Sequence, residues 1–141
     1  GLALTIGDDS GDLTVTDVAA LVVNDDSGDV AIEGIAGSVR VTDGSGDLSI
    51  VDVVGDVRVD DDSGDVTIAR VDGDVAVTDG SSDVTIDAVG GDVSVDDDSG
   101  DVAITHVDGD VVVRDGSGDV TVVDAGRVEV AEDGSGDVSI D

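Results

Sequence analysis

Hydrophobic and polar residues alternate in short stretches of the form D-V-x-V-x, which recur along the whole chain. In one such stretch, Val66 and Ile68 share a phase, and Asp65 and Thr67 take the opposite one. Alternation with period two is typical of a β-strand with one buried face, and no helical period competes with it. The pattern therefore predicts short strands, of about five residues each, whose valines and isoleucines point inward.

The strand pattern itself repeats. One serine recurs after 17 residues and then six times after 18, and each unit contains two halves of the form x-x-x-G-D-V-x-V-x. A strict period predicts coils that lie directly on one another, so that identical residues stack. We expect a single all-β domain over residues 1–141, a parallel two-sheet β-solenoid of about eight coils with two strands each. An antiparallel meander of hairpins is the alternative, because D-G and S-G turns also favour hairpins. The serine positions are Ser10, Ser27, Ser45, Ser63, Ser81, Ser99, Ser117 and Ser135.

Two coils depart from the pattern, and both lie near the ends of the repeat array. The first is one residue short between Asp17 and Asn24, and in the seventh Arg127 stands where Gly-Asp is expected, with Glu132 restoring the register. Leu4 has the pattern of the second strand of an earlier coil. The last coil contains its first strand only, so we expect the chain to be a segment of a longer protein or to stack end to end.

Composition agrees with a thin, regular core. The hydrophobic 39% is entirely Val, Ile, Leu and Ala, and the 21 glycines recur at turns. There is no cysteine, which leaves out disulfides and thiolate metal sites. No apolar run reaches the roughly 20 residues of a membrane span, so we expect no membrane insertion by this segment.

Charge is the most unusual property of the chain. Against 36 acidic residues, of which 33 are Asp, stand five arginines and no lysine, giving a net charge of −31. Nucleic acid and anionic membrane surfaces carry the same sign, so the charge argues against both as partners and favours cations.

Stacking places the aspartates in columns, which are the candidate cation sites. At about 4.8 Å, two unit charges repel by roughly 0.9 kcal/mol even in water, so we expect exposed aspartate ladders that need screening by salt, protonation or bound divalent cations. Ca²⁺ takes six to eight oxygen ligands, but the calcium β-roll repeat G-G-x-G-x-D-x-U-x has a different spacing. The excess of Asp and the absence of Lys resemble proteins of salt-loving microbes. One column contains Asp12, Asp29, Asp47, Asp65, Asp83, Asp101, Asp119 and Asp137, and the other Asp25, Asp43, Asp61, Asp79, Asp97 and Asp115.

The chain has no residue pattern typical of catalysis. The single histidine, His106, lies in a turn equivalent to that of Arg70, and each carboxylate recurs at the equivalent position of other coils. Glycosidase chemistry, by contrast, needs two carboxyls in distinct environments. Arg40 and Arg58 are predicted to be outward neighbours on the second sheet, in reach of Asp60 or Asp96. The outward middle position of the first sheet is small and uncharged, and is predicted to be an exposed β-face or a lateral packing surface; it contains Thr14, Ala31, Ser49, Thr67, Thr85, Ala103, Thr121 and Ser139.

The phrases SGDVTI at 63–68 and GDVVV at 109–113 resemble the putative-adhesin β-strand-repeat family of unknown function, which is related to head-domain auto-transporter adhesins. The resemblance covers nearly the whole chain and implies a β-solenoid displayed outside or at the surface of a microbial cell, with no catalytic residues to transfer. We therefore expect a non-enzymatic structural or adhesin-like rod that associates with itself through its ends or faces. A β-roll whose folding is switched by Ca²⁺ is the alternative, with no other cofactor required.

Overall fold

A computed structural model describes residues 2–141, and it confirms a parallel β-solenoid of about eight coils. Within each regular coil, one strand lies in a first sheet and the next in a second, and every strand pairs in parallel with its equivalent one coil away. The first sheet contains β2 (Leu13–Thr16), β4 (Val30–Ile35), β6 (Leu48–Val53), β8 (Val66–Val71), β10 (Val84–Val89) and β14 (Val138–Ile140). The second contains β1 (Ala3–Asp8), β3 (Ala20–Asp25), β5 (Val39–Asp43), β7 (Val57–Asp61), β9 (Val75–Asp79) and β11 (Val93–Asp97). Two longer strands, β12 (Val102–Asp115) and β13 (Val120–Asp133), bend around the corner and belong to both.

The core lies between the two sheets and consists of stacked valines, isoleucines and leucines. Val66 and Ile68 of β8 are fully buried, as are Val75 and Val77 of the following strand, which confirms the predicted inward phase. Because the register is in phase from coil to coil, Ile68 lies between Ile50 and Ile86. Branched side chains stacked in this way pack efficiently on a pleated surface.

Each coil turns its first corner at one residue in the left-handed backbone region. Gly34 occupies this position in one coil, but Arg70 (φ 55°), His106 (φ 54°) and their equivalents are not glycines. A left-handed residue reverses the side-chain alternation, which is why the valine that follows, such as Val71 after Arg70, is buried. The corner thus keeps an apolar residue inside where a simple alternation would place it outside.

Glycine holds the second corner in every regular coil but one, where Ser82 takes its place. Gly64 has φ +126°, and a Cβ there would lie 1.8 Å from the carbonyl oxygen of Gly46 in the coil before. Only glycine accommodates both the backbone angle and this contact. The recurrent S-G of the sequence is therefore what the left-handed form of this corner needs, and Ser82, which has no positive φ, occupies a corner of different backbone conformation.

The irregular ends follow the sequence pattern. Leu4 pairs with Leu21 in the next coil, as expected for the second strand of an earlier coil. Near the other end, the register shifts between Val113 and Arg114, so that Arg114 pairs with Glu132. Val128 and Val130 are partly buried and pack against the core. Within residues 2–141, no helix is long and apolar enough to cross a membrane.

Candidate functional site

Two of the aspartate columns lie at the second corner, on opposite sides of the chain. The sequence predicts that both columns are exposed, and for one of them this prediction is wrong. The inner column, defined as the residues that end the strands of the second sheet, is only 2–3% exposed. The reason is the alternation itself: in V-R-V-T-D, Asp43 has the same phase as Val39 and Val41 and therefore points inward. The members of the inner column are Asp25, Asp43, Asp61, Asp79, Asp97 and Asp115.

One oxygen of each inner carboxylate has a clear structural role. Oδ1 of Asp61 accepts a hydrogen bond from the backbone N–H of Ser63 at 3.2 Å, and the same contact recurs in every coil of the column. An aspartate that binds the N–H two residues later stabilises a tight turn. This oxygen therefore shapes the D-x-S-G corner.

The second oxygen of the inner carboxylates is unusual, because it is buried without a hydrogen-bond partner. A buried carboxylate oxygen without a donor carries an uncompensated desolvation cost. The atoms concerned are Oδ2 of Asp25, Asp43, Asp61, Asp97 and Asp115.

Burial and neighbouring charge change the proton affinity of this column. Burial, with repulsion from Asp43 and Asp79, raises the pKa of Asp61 to about 7. Burial is also the main reason why the pKa of Asp97 rises to about 6, with repulsion from Asp79 and Asp115 adding to it. Burial raises the pKa of Asp43, Asp79 and Asp115 in the same direction. At neutral pH, these five carboxylates therefore hold protons more readily than ordinary carboxylates do.

Asp79 is the exception that shows what the others lack. In its coil, Ser82 replaces the usual glycine, and the Ser82 hydroxyl lies 3.2 Å from Oδ2 of Asp79 and 2.6 Å from the carbonyl oxygen of Gly64. A hydroxyl carries one hydrogen, so it donates to one of these acceptors at a time. Asp79 alone in the inner column thus has a polar group beside its second oxygen.

The outer column is exposed, as predicted, but six of its eight carboxylates accept a hydrogen bond. Oδ1 of Asp47 accepts the backbone N–H of Asp65 in the next coil at 3.2 Å, and Oδ1 of Asp119 accepts that of Asp137 at 2.9 Å. From Asp29 to Asp119, each carboxylate of the column thereby accepts a backbone N–H of the next coil. The column contains Asp12, Asp29, Asp47, Asp65, Asp83, Asp101, Asp119 and Asp137, and a second ladder of the same kind joins Asp56, Asp74, Asp92 and Asp110.

The first corner holds the ion pairs. Arg70 contacts both carboxylate oxygens of Asp52 one coil before it, and this lowers the pKa of Asp52. His106 lies 2.7 Å from Oδ1 of Asp87, which raises the pKa of the imidazole. Both arrangements are exposed and belong to the repeated left-handed position. His106 therefore has an acidic partner, and the repeated serine column lies at the other corner, away from it.

The outward surface of the second sheet carries three of the five arginines. Arg40 and Arg58 are neighbours in register, as predicted, and Arg114 lies further along. The expected bridges to Asp60 or Asp96 are absent: within residues 2–141, neither Arg40 nor Arg58 lies within 4 Å of a carboxylate. On the first sheet, the small uncharged stripe from Thr14 to Ser139 forms one continuous row, as the sequence predicts.

The columns line up carboxylate oxygens along the rod, but residues 2–141 form no ready-made metal cage. In the part of the chain that the structure describes, no group of three or more His, Asp or Glu side chains is placed to hold one metal ion. Oxygen donors are supplied instead as ladders, one carboxylate per coil. Comparison of the chain with family models, with curated proteins and with solved structures gave no match.

Proposed function

We propose that the chain is a non-enzymatic structural module, a stiff acidic rod of the adhesin-like kind displayed at a cell surface. The single observation that supports this most strongly is the unbroken parallel ladder from β1 to β14 around one apolar core. Eight coils at about 4.8 Å give a rod about 40 Å long. Such a repeat presents the same groups at regular intervals on its faces, which suits contact with extended partners and with other copies of itself.

Function of this kind depends on ionic strength. The outer aspartate ladders hold like charges about 4.8 Å apart, and each neighbouring pair repels by roughly 0.9 kcal/mol in water. Summed over the ladders, this approaches the roughly 5 to 15 kcal/mol that stabilises an ordinary domain. At about 1 M salt, the screening length of about 3 Å is shorter than the spacing, and most of the repulsion disappears.

A salt titration tests the proposal. Circular dichroism is recorded during thermal unfolding at KCl concentrations from 0.05 to 2 M, and small-angle scattering measures the shape of the folded form. We expect the unfolding temperature to rise steadily with KCl and the scattering to fit an elongated particle. A compact particle, or a fold that is indifferent to salt, contradicts the proposal. Electron microscopy of the same samples distinguishes isolated rods from filaments.

A Ca²⁺-switched β-roll is a second candidate, supported by the unpartnered Oδ2 atoms of the inner column. Carboxylate oxygens are the ligands that Ca²⁺ prefers, and adjacent coils would each supply one while water completes the shell. The two candidates separate in one measurement. Strand signal that appears with millimolar CaCl₂, and not with molar KCl, supports the switch. An equal response to KCl and to CaCl₂ at matched ionic strength leaves screening as the explanation.

A further inference from the structure

One surface of the rod has a charge pattern unlike the rest, and we call it the arginine face. It is the outward side of the second sheet, made of two parallel rows that lie two residues apart along each regular strand. It carries three arginines and four acidic residues, a local charge of −1 on a chain whose net charge is −31. The first row runs Arg40, Arg58, Ala76, Ser94, Val112 and Glu129, and the second runs Thr42, Asp60, Thr78, Asp96, Arg114 and Glu132.

Four of the seven charged residues on this face meet an opposite charge when the face packs against its own inverted copy, and the other three face uncharged side chains. A two-fold axis that lies between β9 and β11, parallel to the strands, generates a second rod that runs in the opposite direction. Each row of one rod then faces the same row of the other. Arg40 of one rod then lies opposite Glu129 of the other, and Asp60 lies opposite Arg114. Symmetry makes each pair twice, which gives four ion pairs across one interface.

The centre of the face suits close approach. Around the axis, Ala76 lies opposite Ser94, and both are small; a shallow groove of about 210 Å³ runs there, with Arg58 at one end and Arg114 at the other. Small side chains let two sheets pack about 10 Å apart. The first sheet offers no equivalent, because its small stripe carries no arginine and cannot complement itself electrostatically.

We propose that the arginine face is a docking surface for a second copy of this chain, packed antiparallel about that axis. The proposal rests on the rod of the proposed function and names its lateral partner. An unrelated anionic partner fits less well, since it would meet Asp60, Asp96, Glu129 and Glu132 beside the arginines. Six overlapping strands cover about 500 Å² on each rod, or about 1,000 Å² in total, which is at the low end for specific interfaces and indicates a weak dimer.

Salt has an unusual effect on such a dimer. At low ionic strength, the two highly negative rods repel at long range, whereas at about 1 M salt this repulsion is screened and close contact pairs are screened less. The dimer is therefore expected to form on addition of salt, the opposite of ordinary ion-pair association.

Charge exchange tests the proposed pair directly. Sedimentation velocity is measured at about 20 to 200 µM protein in 0.1 M and 1 M KCl, with circular dichroism to confirm that each variant folds. We expect the wild type to dimerise in 1 M KCl. Arg40→Glu or Glu129→Arg alone places like charges opposite each other and weakens the dimer at least tenfold. The double variant Arg40→Glu/Glu129→Arg restores it to within about threefold of the wild type. Arg70→Gln, which changes an arginine outside the face, leaves it unchanged.

Each alternative outcome has a separate meaning. A folded rod that stays monomeric at both salt concentrations overturns the docking surface while the structural-rod function stands. A dimer whose affinity is unchanged by Arg40→Glu also overturns the docking surface, because the contact between the two copies then lies at the ends or on the first sheet. A particle whose scattering is not elongated contradicts the proposed function itself.

Discussion

Replacing Asp61 by Asn removes one charge from the middle of the inner column and keeps its shape. The Asn carbonyl oxygen can still accept the N–H of Ser63, now bound at 3.2 Å by Oδ1 of the aspartate. The amide N–H₂ group takes the place of the buried Oδ2 that has no partner, and it can donate to the carboxylates of Asp43 or Asp79 in the neighbouring coils. We therefore expect Asp61→Asn to stabilise the protein above about pH 3.8, where the aspartate is ionised in the unfolded state.

The magnitude follows from the raised pKa of Asp61. A rise from 3.8 to about 7 corresponds to about 4 kcal/mol at full strength. The corner borders solvent, so screening reduces this to about 2 to 4 kcal/mol.

The sign depends on pH. Below pH 3.8, the carboxyl is protonated in both the folded and the unfolded state and does not change the free energy of unfolding. Between pH 3.8 and about 7, the folded state keeps a proton that the unfolded state has released, so stability falls as pH rises. Above about pH 7, the full destabilisation by the buried charge is present.

Denaturant unfolding at pH 5 and pH 8 in 1 M KCl measures the effect, above the sequence pI of about 4.1 and with the exposed columns screened. We expect the advantage of Asp61→Asn over the wild type to grow by about 1 to 3 kcal/mol from pH 5 to pH 8. Asp47→Asn in the outer column is the matched control, and it should change stability by less than about 1 kcal/mol at either pH. A variant that is less stable than the wild type at pH 8, or an advantage that does not grow with pH, refutes the reasoning.

Two further predictions concern the stacking of coils. Gly64→Ala places a Cβ 1.8 Å from the Gly46 carbonyl oxygen at φ +126°, so we expect the free energy of unfolding to fall by about 3 kcal/mol or more. Gly7→Ala is the control, because nothing lies within 4 Å of its Cβ, and its free energy of unfolding should lie within about 1 kcal/mol of the wild type. Urea unfolding of both variants measures the difference. Ile68→Ala opens a cavity at a fully buried position between two isoleucines and should cost about 2 to 5 kcal/mol, while Thr67→Ala on the exposed side of the same strand should cost less than about 1 kcal/mol in the same assay.

The sequence alone determined the architecture, because an 18-residue period and a two-residue alternation act together on every coil. Once identical residues must stack, parallel pairing, inward valines and glycine corners follow, and even the register correction at Glu132 is readable. The same alternation contained the signal for the inner column, since Asp43 continues the phase of Val39 and Val41. Aspartate is usually exposed, and this general preference masks the signal in the sequence.

The tertiary structure decided which aspartates are buried, bound to backbone or free. That outcome depends on where the chain bends: the second corner begins only after Asp43, so its carboxylate stays inside, while Asp47 lies beyond the bend and reaches the N–H of Asp65. It also decided that the second oxygen of Asp61 meets no donor while Ser82 lies beside that of Asp79. These are distances across neighbouring coils at a bend, and a one-dimensional pattern specifies which residues stack without specifying which atoms meet.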